Sequence, residues 1–142
     1  MHRVLVPIDG SECAGRALDH ALKLAKQIDG VELVLLHVQP EPTVYGEIQV
    51  YVPAERMQEL QAKHSKNILN QAVEKTEPAG VAHACKTRTG DFATEIVRAA
   101  DQDKCDEIVM GTRGMSAIGS LLMGSVVTKV VHLAGMPVTL VK

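Results

Sequence analysis

Short runs of branched apolar residues alternate along this chain with longer stretches whose apolar residues recur at helical spacing. No other feature narrows the choice of fold as much. Residues 3–8, RVLVPI, read as a buried strand. Asp9-Gly10-Ser11 follows as a turn, with Ser11 placed to cap a helix. Ala14, Ala17, Leu18, Ala21, Leu22, Ala25 and Ile28 then keep helical spacing as far as Asp29-Gly30. VELVLLHV (31–38) is a second strand, and residues 53–77 read as a helix opening at Pro53, a residue suited to a first helical turn. VAHACKTR (81–88) is a third strand, and Thr89-Gly90-Asp91 turns into a helix carrying Phe92, Ile96, Val97 and Ala100. DEIVM (106–110) is a fourth strand. A glycine-rich stretch then leads into a helix ending near Gly135, and MPVTLV (136–141) closes the series.

Strand–helix alternation of this kind predicts an α/β fold: an open parallel sheet reached by right-handed crossovers and covered by helices on both faces. At 142 residues the chain is read as one domain, 1–142. Such sheets bind ligands beyond the carboxyl ends of their strands, where strand order reverses. Four such ends are identifiable: Asp9-Gly10, Val38-Gln39, Thr89-Gly90 and Met110-Gly111. One connection is unusually long. Residues 39–52, QPEPTVYGEIQVYV, read as a surface excursion, a flap over the ligand or a subunit contact.

Composition removes several function classes. Aromatic residues make up 2% of the chain and tryptophan is absent, so there is no platform for stacking bases. The formal net charge of -2 gives no basic footprint for nucleic acid. No apolar run approaches the ~20 residues of a membrane span. HRVLVPID starts a strand pattern at once, without the apolar core of a signal peptide. Cys13, Cys85 and Cys105 are odd in number and share no metal-like spacing, which suits reduced, mostly buried thiols and a cytoplasmic setting. The six histidines are equally scattered, so no zinc site is expected.

Residues 110–127, MGTRGMSAIGSLLMGSVV, hold four of the eleven glycines. Glycine inside a helix costs roughly 1 kcal/mol relative to alanine, so this density needs a reason. Gly111, Gly114, Gly124 and Ser125 fit the spacing G-x2-G-x9-G-S. Gly111 and Gly114 would allow positive φ and close approach of the backbone to a ligand, with successive amides forming an anion nest. A helix starting at Gly124-Ser125 would offer a second anion site through its free amides and dipole. Two such sites suit a polyphosphate. The alternative is a turn plus a close helix–sheet contact. GSLLMGS (119–125) lacks the lysine of a phosphate-binding P-loop, and DGSECAG after the first strand lacks the dinucleotide fingerprint.

VLVPIDGSE, VLLHV, MGTRG, GSLLMGSVVTKVV and PVTLV together resemble the universal stress protein family over the whole chain. The ungapped G-x2-G-x9-G-S resembles its ATP-binding branch. The resemblance implies an adenine nucleotide alpha hydrolase-like fold: three layers around a five-stranded sheet of order 3-2-1-4-5, with Asp9 brought beside Gly111. Residue by residue, it implies that Pro7 and Asp9 line the adenosine end, and that Val38 holds adenine through its backbone. Met110 would pack near the ribose or base. Gly111, Gly114, Gly124 and Ser125 would bind phosphates, with Val126 adding an amide. Arg113 either neutralises phosphate charge or is simply solvated.

A carboxylate beside a triphosphate is repelled unless it bonds a hydroxyl or amine or shares a divalent ion. A nucleoside contact is therefore expected of Asp9, a magnesium-linked role second, and a plain turn residue is the structural alternative. The expected ligand is ATP or AMP, with Mg2+ accompanying the nucleotide as a further option. Three function classes follow: a dimeric nucleotide-binding regulatory or stress-response module, a slow ATPase or self-phosphorylating enzyme, and an interaction protein with an empty cleft. The loop supplies few groups for phosphoryl transfer, which favours the first. The apolar closing strand invites edge pairing, and the resemblance implies a homodimer through it. Neither nucleic acid nor a membrane is an expected partner.

Overall fold

A computed structural model describes residues 1–41, 53–113 and 123–142. The five strands are β1 (His2–Pro7), β2 (Val31–Gln39), β3 (Ala82–Thr89), β4 (Glu107–Gly111) and β5 (Val138–Val141). Between them run α1 (Glu12–Gln27), α2 (Ala54–Thr76), α3 (Phe92–Gln102) and α4 (Ser125–Leu133). The sheet is parallel throughout, in the order β3-β2-β1-β4-β5.

Alternation along the central strands creates two cores. Val4, Val6, Leu33 and Leu35 face the layer of α1 and α2, packing on Leu18, Ala21, Ile68 and Leu69. Leu5, Val34, Leu36 and Ile108 face α3 and α4, packing on Ile96, Ala99, Val127 and Val130. Val4, Leu5 and Val6 are fully buried, each side chain adding about 1.5–3 kcal/mol of hydrophobic stabilisation. Because β1 is covered on both faces, its sequence reads as an unbroken apolar run. β3 lies at one edge, has no fully buried residue, and alternates exposed with half-buried residues from Ala84 onward.

Local chemistry sets most boundaries. Ser11 Oγ accepts the Ala14 amide to start α1, which stops before Gly30 at φ +80°. Asp91 does the same for α3 through the Thr94 amide. Pro53 was expected inside α2, but its ψ of 144° is extended, so it precedes the first helical residue. β5 begins later than expected because Met136-Pro137 leads into it, the Pro137 carbonyl accepting the Ile108 amide at 3.0 Å. Cys13 and Cys105 are buried and Cys85 is exposed, all three as free thiols. Of the long connection, residues 42–52 lie outside the described part of the chain.

Candidate functional site

The carboxyl ends of β1, β2 and β4 open into a cleft of about 650 Å³. Pro7 closes β1 and Asp9 follows in the turn, Val38 lies near the end of β2, and Met110 and Gly111 end β4. Arg113 lies two residues beyond β4, and Gly124, Ser125 and Val126 form the start of α4. All nine border this one cleft. Gly114 lies outside the described residues.

Sheet order explains the convergence. β1 pairs with β4 in the register Val4↔Glu107 and Leu5↔Ile108, which carried forward sets Ile8 abreast of Gly111. The start of α4 is brought back to the end of β4 by the Gly124 amide, which donates to the Thr112 carbonyl at 2.8 Å. Thr112 is anchored in turn through its own amide to the Val141 carbonyl at 2.9 Å. Helix α4 then has Gly124 at its N-cap with no side-chain cap, and its first internal bond runs from the Thr128 amide to the Gly124 carbonyl. Among the described residues the amides of Ser125, Val126 and Val127 have no acceptor and border the cleft, with the positive end of the helix dipole behind them.

The end of β2 offers a different kind of contact. The Leu36 carbonyl accepts the Ile8 amide on the β1 side, whereas the Gln39 carbonyl accepts the Gly90 amide on the β3 side. Peptide groups of successive residues point alternately to the two neighbouring strands. Val38 therefore turns both its N–H and its C=O toward β1, which has already ended at Pro7. That leaves a donor and an acceptor in one plane at the cleft. Asp9 is partly committed, since its Oδ1 accepts the Ser11 amide at 2.9 Å, and Oδ2 has no partner among the described residues.

Gly111 corrects the expectation drawn from its spacing. Its φ is not positive, and a Cβ there would lie 2.7 Å from Cys13 Sγ and 2.9 Å from the Cys13 carbonyl carbon. The missing side chain lets α1 sit against β4, rather than making room for a ligand. Gly124 has an ordinary φ of -73°, and a Cβ would meet nothing closer than 3.6 Å. Its lack of a side chain leaves the α4 amides uncapped and unshielded.

Other lining residues were invisible to motif reasoning. Met57, Leu60, Gln61 and His64 come from the first turns of α2, and Phe92 and Ile96 from α3. They recur at helical spacing, but nothing in that period says that these turns overhang the sheet. His37 was read only as part of a strand. It is 5% exposed, and burial first, then the neighbouring His64, lowers its pKa below the ordinary value, while Asp9 pulls weakly upward.

Residues 1–142 match the universal stress protein family. The chain belongs to that family. It is 36% identical over 147 residues to the universal stress protein YxiE of Bacillus subtilis, the match covering 99% of each chain. Protein MJ0577 of Methanocaldococcus jannaschii, a universal stress protein, superposes with a TM-score of 0.83 at 31% identity, covering 99% of this chain and 95% of the other. A universal stress protein solved in complex with cAMP superposes with a TM-score of 0.68 at 27% identity, covering 99% and 96%. The two superposed structures match the α/β fold described above.

Proposed function

We propose that this member of the universal stress protein family binds an adenine nucleotide, ATP or AMP, in the cleft and acts as a dimeric regulatory module. The observation that carries the reading is a division of labour across the sheet. Three uncapped α4 amides lie at the β4 end and a paired main-chain donor and acceptor at Val38 lie at the β2 end. Two strand spacings separate them, about 10 Å, a span suited to a ligand with an anionic tail and a hydrogen-bonding ring. Ser125, Val126, Gly124 and the Gly111–Gly114 loop would hold the phosphates, with Arg113 as a flexible counter-charge. Pro7, Met110 and the free oxygen of Asp9 would meet the nucleoside. The relative solved with cAMP supports a ligand of this class.

The donor set fits a divalent cation only as the nucleotide's companion. No group of three or more metal-binding side chains exists among the described residues, and Asp9 has one uncommitted oxygen. Mg2+ would therefore be held chiefly by phosphate oxygens and water.

β5 supports the dimer. It pairs only with β4 among the described residues, and α4 beside it exposes Val131 at 46% and Leu133 at 45%. Sedimentation at micromolar concentration should give twice the subunit mass, and a single-subunit mass would remove the dimer from this reading.

The direct test is to denature freshly purified protein, identify any released nucleotide, and titrate the emptied protein with ATP. Stoichiometric ATP or AMP without repeated turnover is expected. ADP formed over many cycles would make the protein an enzyme, and failure to bind ATP would overturn the proposal.

A further inference from the structure

Gln39, Ser65 and His37 form a chain of hydrogen bonds behind the β2 end of the cleft. The Gln39 side-chain nitrogen donates to the Gln61 carbonyl and to Ser65 Oγ. A carbonyl only accepts, so the contact with Gln61 fixes which end of the Gln39 carboxamide faces α2. Ser65 Oγ meets His37 Nδ1 at 2.5 Å. The Gln61 carbonyl already serves the helical amide of Ser65 and the Gln39 side chain, and one proton reaches Ser65 Oγ from Gln39. The Ser65 hydroxyl hydrogen therefore goes to Nδ1. A neutral imidazole carries one N–H, which this arrangement places on Nε2.

Two features hold the ring neutral. It is buried, and the His64 ring lies edge-on with centroids 5.8 Å apart. Asp9, after β1, is the carboxylate that opposes them. Nε2 has no partner among the described residues. Yet Asp103 Oδ2 is the one buried side-chain polar atom among them without a hydrogen bond. Since His37 borders the cleft, Nε2 opens into it. The cleft brings apolar Met57, Leu60, Phe92 and Ile96 together with His64, Gln61 and Asp9. A single neutral donor suits a neutral ring acceptor. A phosphate would call for a cation or converging amides, which lie two strands away.

We propose that His37 selects the base: its Nε2–H donates to a ring nitrogen of a purine whose edge is held by the Val38 main chain. This rests on the nucleotide-binding reading above.

The test titrates the parent and His37→Phe with ATP and with its 1-deaza, 3-deaza and 7-deaza analogues, each lacking one ring acceptor. The parent should bind at least one analogue about tenfold less tightly than ATP, and His37→Phe should lose the discrimination at one ring position, keeping any that the Val38 amide imposes, while binding ATP about tenfold more weakly. If the parent binds all four nucleotides equally, or the variant discriminates as the parent does, His37 does not read the base, although nucleotide binding stands. If the parent binds none of them, both readings fall. Should His37→Phe fail to fold, nitrogen NMR of the parent decides. The Nε2–H tautomer, with its proton shifting on ATP addition, is expected; an Nδ1–H tautomer or an unmoved Nε2 proton overturns the proposal.

Discussion

Two helices begin side by side at the cleft, α1 after β1 and α4 after the neighbouring β4. On the α1 side, side chains satisfy the turn: Asp9 Oδ1 takes the Ser11 amide and Ser11 Oγ takes the Ala14 amide, at 2.9 and 3.1 Å. On the α4 side the capping position holds Gly124, and among the described residues no side chain takes the amides that follow. Both helices present the same dipole, so the difference lies in which amides are already engaged. At α1 two amides are already taken by its own side chains and the Asp9 carboxylate lies beside them, whereas at α4 no described side chain takes an amide. The two sides meet at Gly111, where α1 rests against β4 without a Cβ between them.

Restoring that Cβ should produce the largest effect on folding. Gly111→Ala forces a contact under 3.0 Å with the Cys13 backbone as well as its thiol, and overpacking of this kind costs about 1–3 kcal/mol. Chemical denaturation measures it. Adding Cys13→Ala should recover only part of the loss, because the Cys13 carbonyl carbon remains 2.9 Å away. Full recovery would mean that the thiol alone sets the contact.

Gly124→Asp would give α4 an α1-like start. A Cβ fits there, so the empty protein should gain a few tenths of a kcal/mol while ATP affinity falls about tenfold or more, a loss of at least about 1.4 kcal/mol. Melting and calorimetric titration read the two effects separately. Unchanged affinity would show that α4 amides do not hold the phosphates.

The converse substitution, Ser11→Ala, removes the α1 cap and should cost about 1 kcal/mol of stability with ATP affinity unchanged. A parallel loss of affinity would erase the distinction between the two helix starts.

The smallest effect concerns the exposed cap of α3. The Lys129 ammonium first, then the Thr94 hydroxyl and amide, hold the Asp91 carboxyl well below the usual carboxylate range. Its folded pKa lies below the ordinary 3.8, so its contribution is present above about pH 4 and fades as pH falls through the lower folded value. Lys129→Met should lower the melting temperature slightly at pH 7, with the difference from the parent shrinking as pH falls below 4.

Much of this was legible in the residues. Every strand and helix was anticipated, most by apolar period and α2 from its opening proline, and Ser11, Asp91 and Gly30 marked helix ends through rules that need only near neighbours. Nine proposed site residues were found around one cleft because strand–turn–helix junctions in a parallel sheet gather on one side. The use of each glycine was less legible. Gly111 and Gly124 look alike in a motif, but one is small for a packed helix and the other for exposed amides. His37 and the first turns of α2 were missed because their relevance depends on where α2 lies over the sheet.

By itself, then, the sequence determined the order of strands and helices, the turn and cap positions, and the short list of residues at strand ends, all consequences of chemistry between near neighbours. Only the tertiary structure decided what those residues face. What a side chain at Gly111 would meet, which peptide of Val38 is left over, and which partner His37 finds in Ser65 each depend on groups far away in the chain, and local periodicity carries no information about such neighbours.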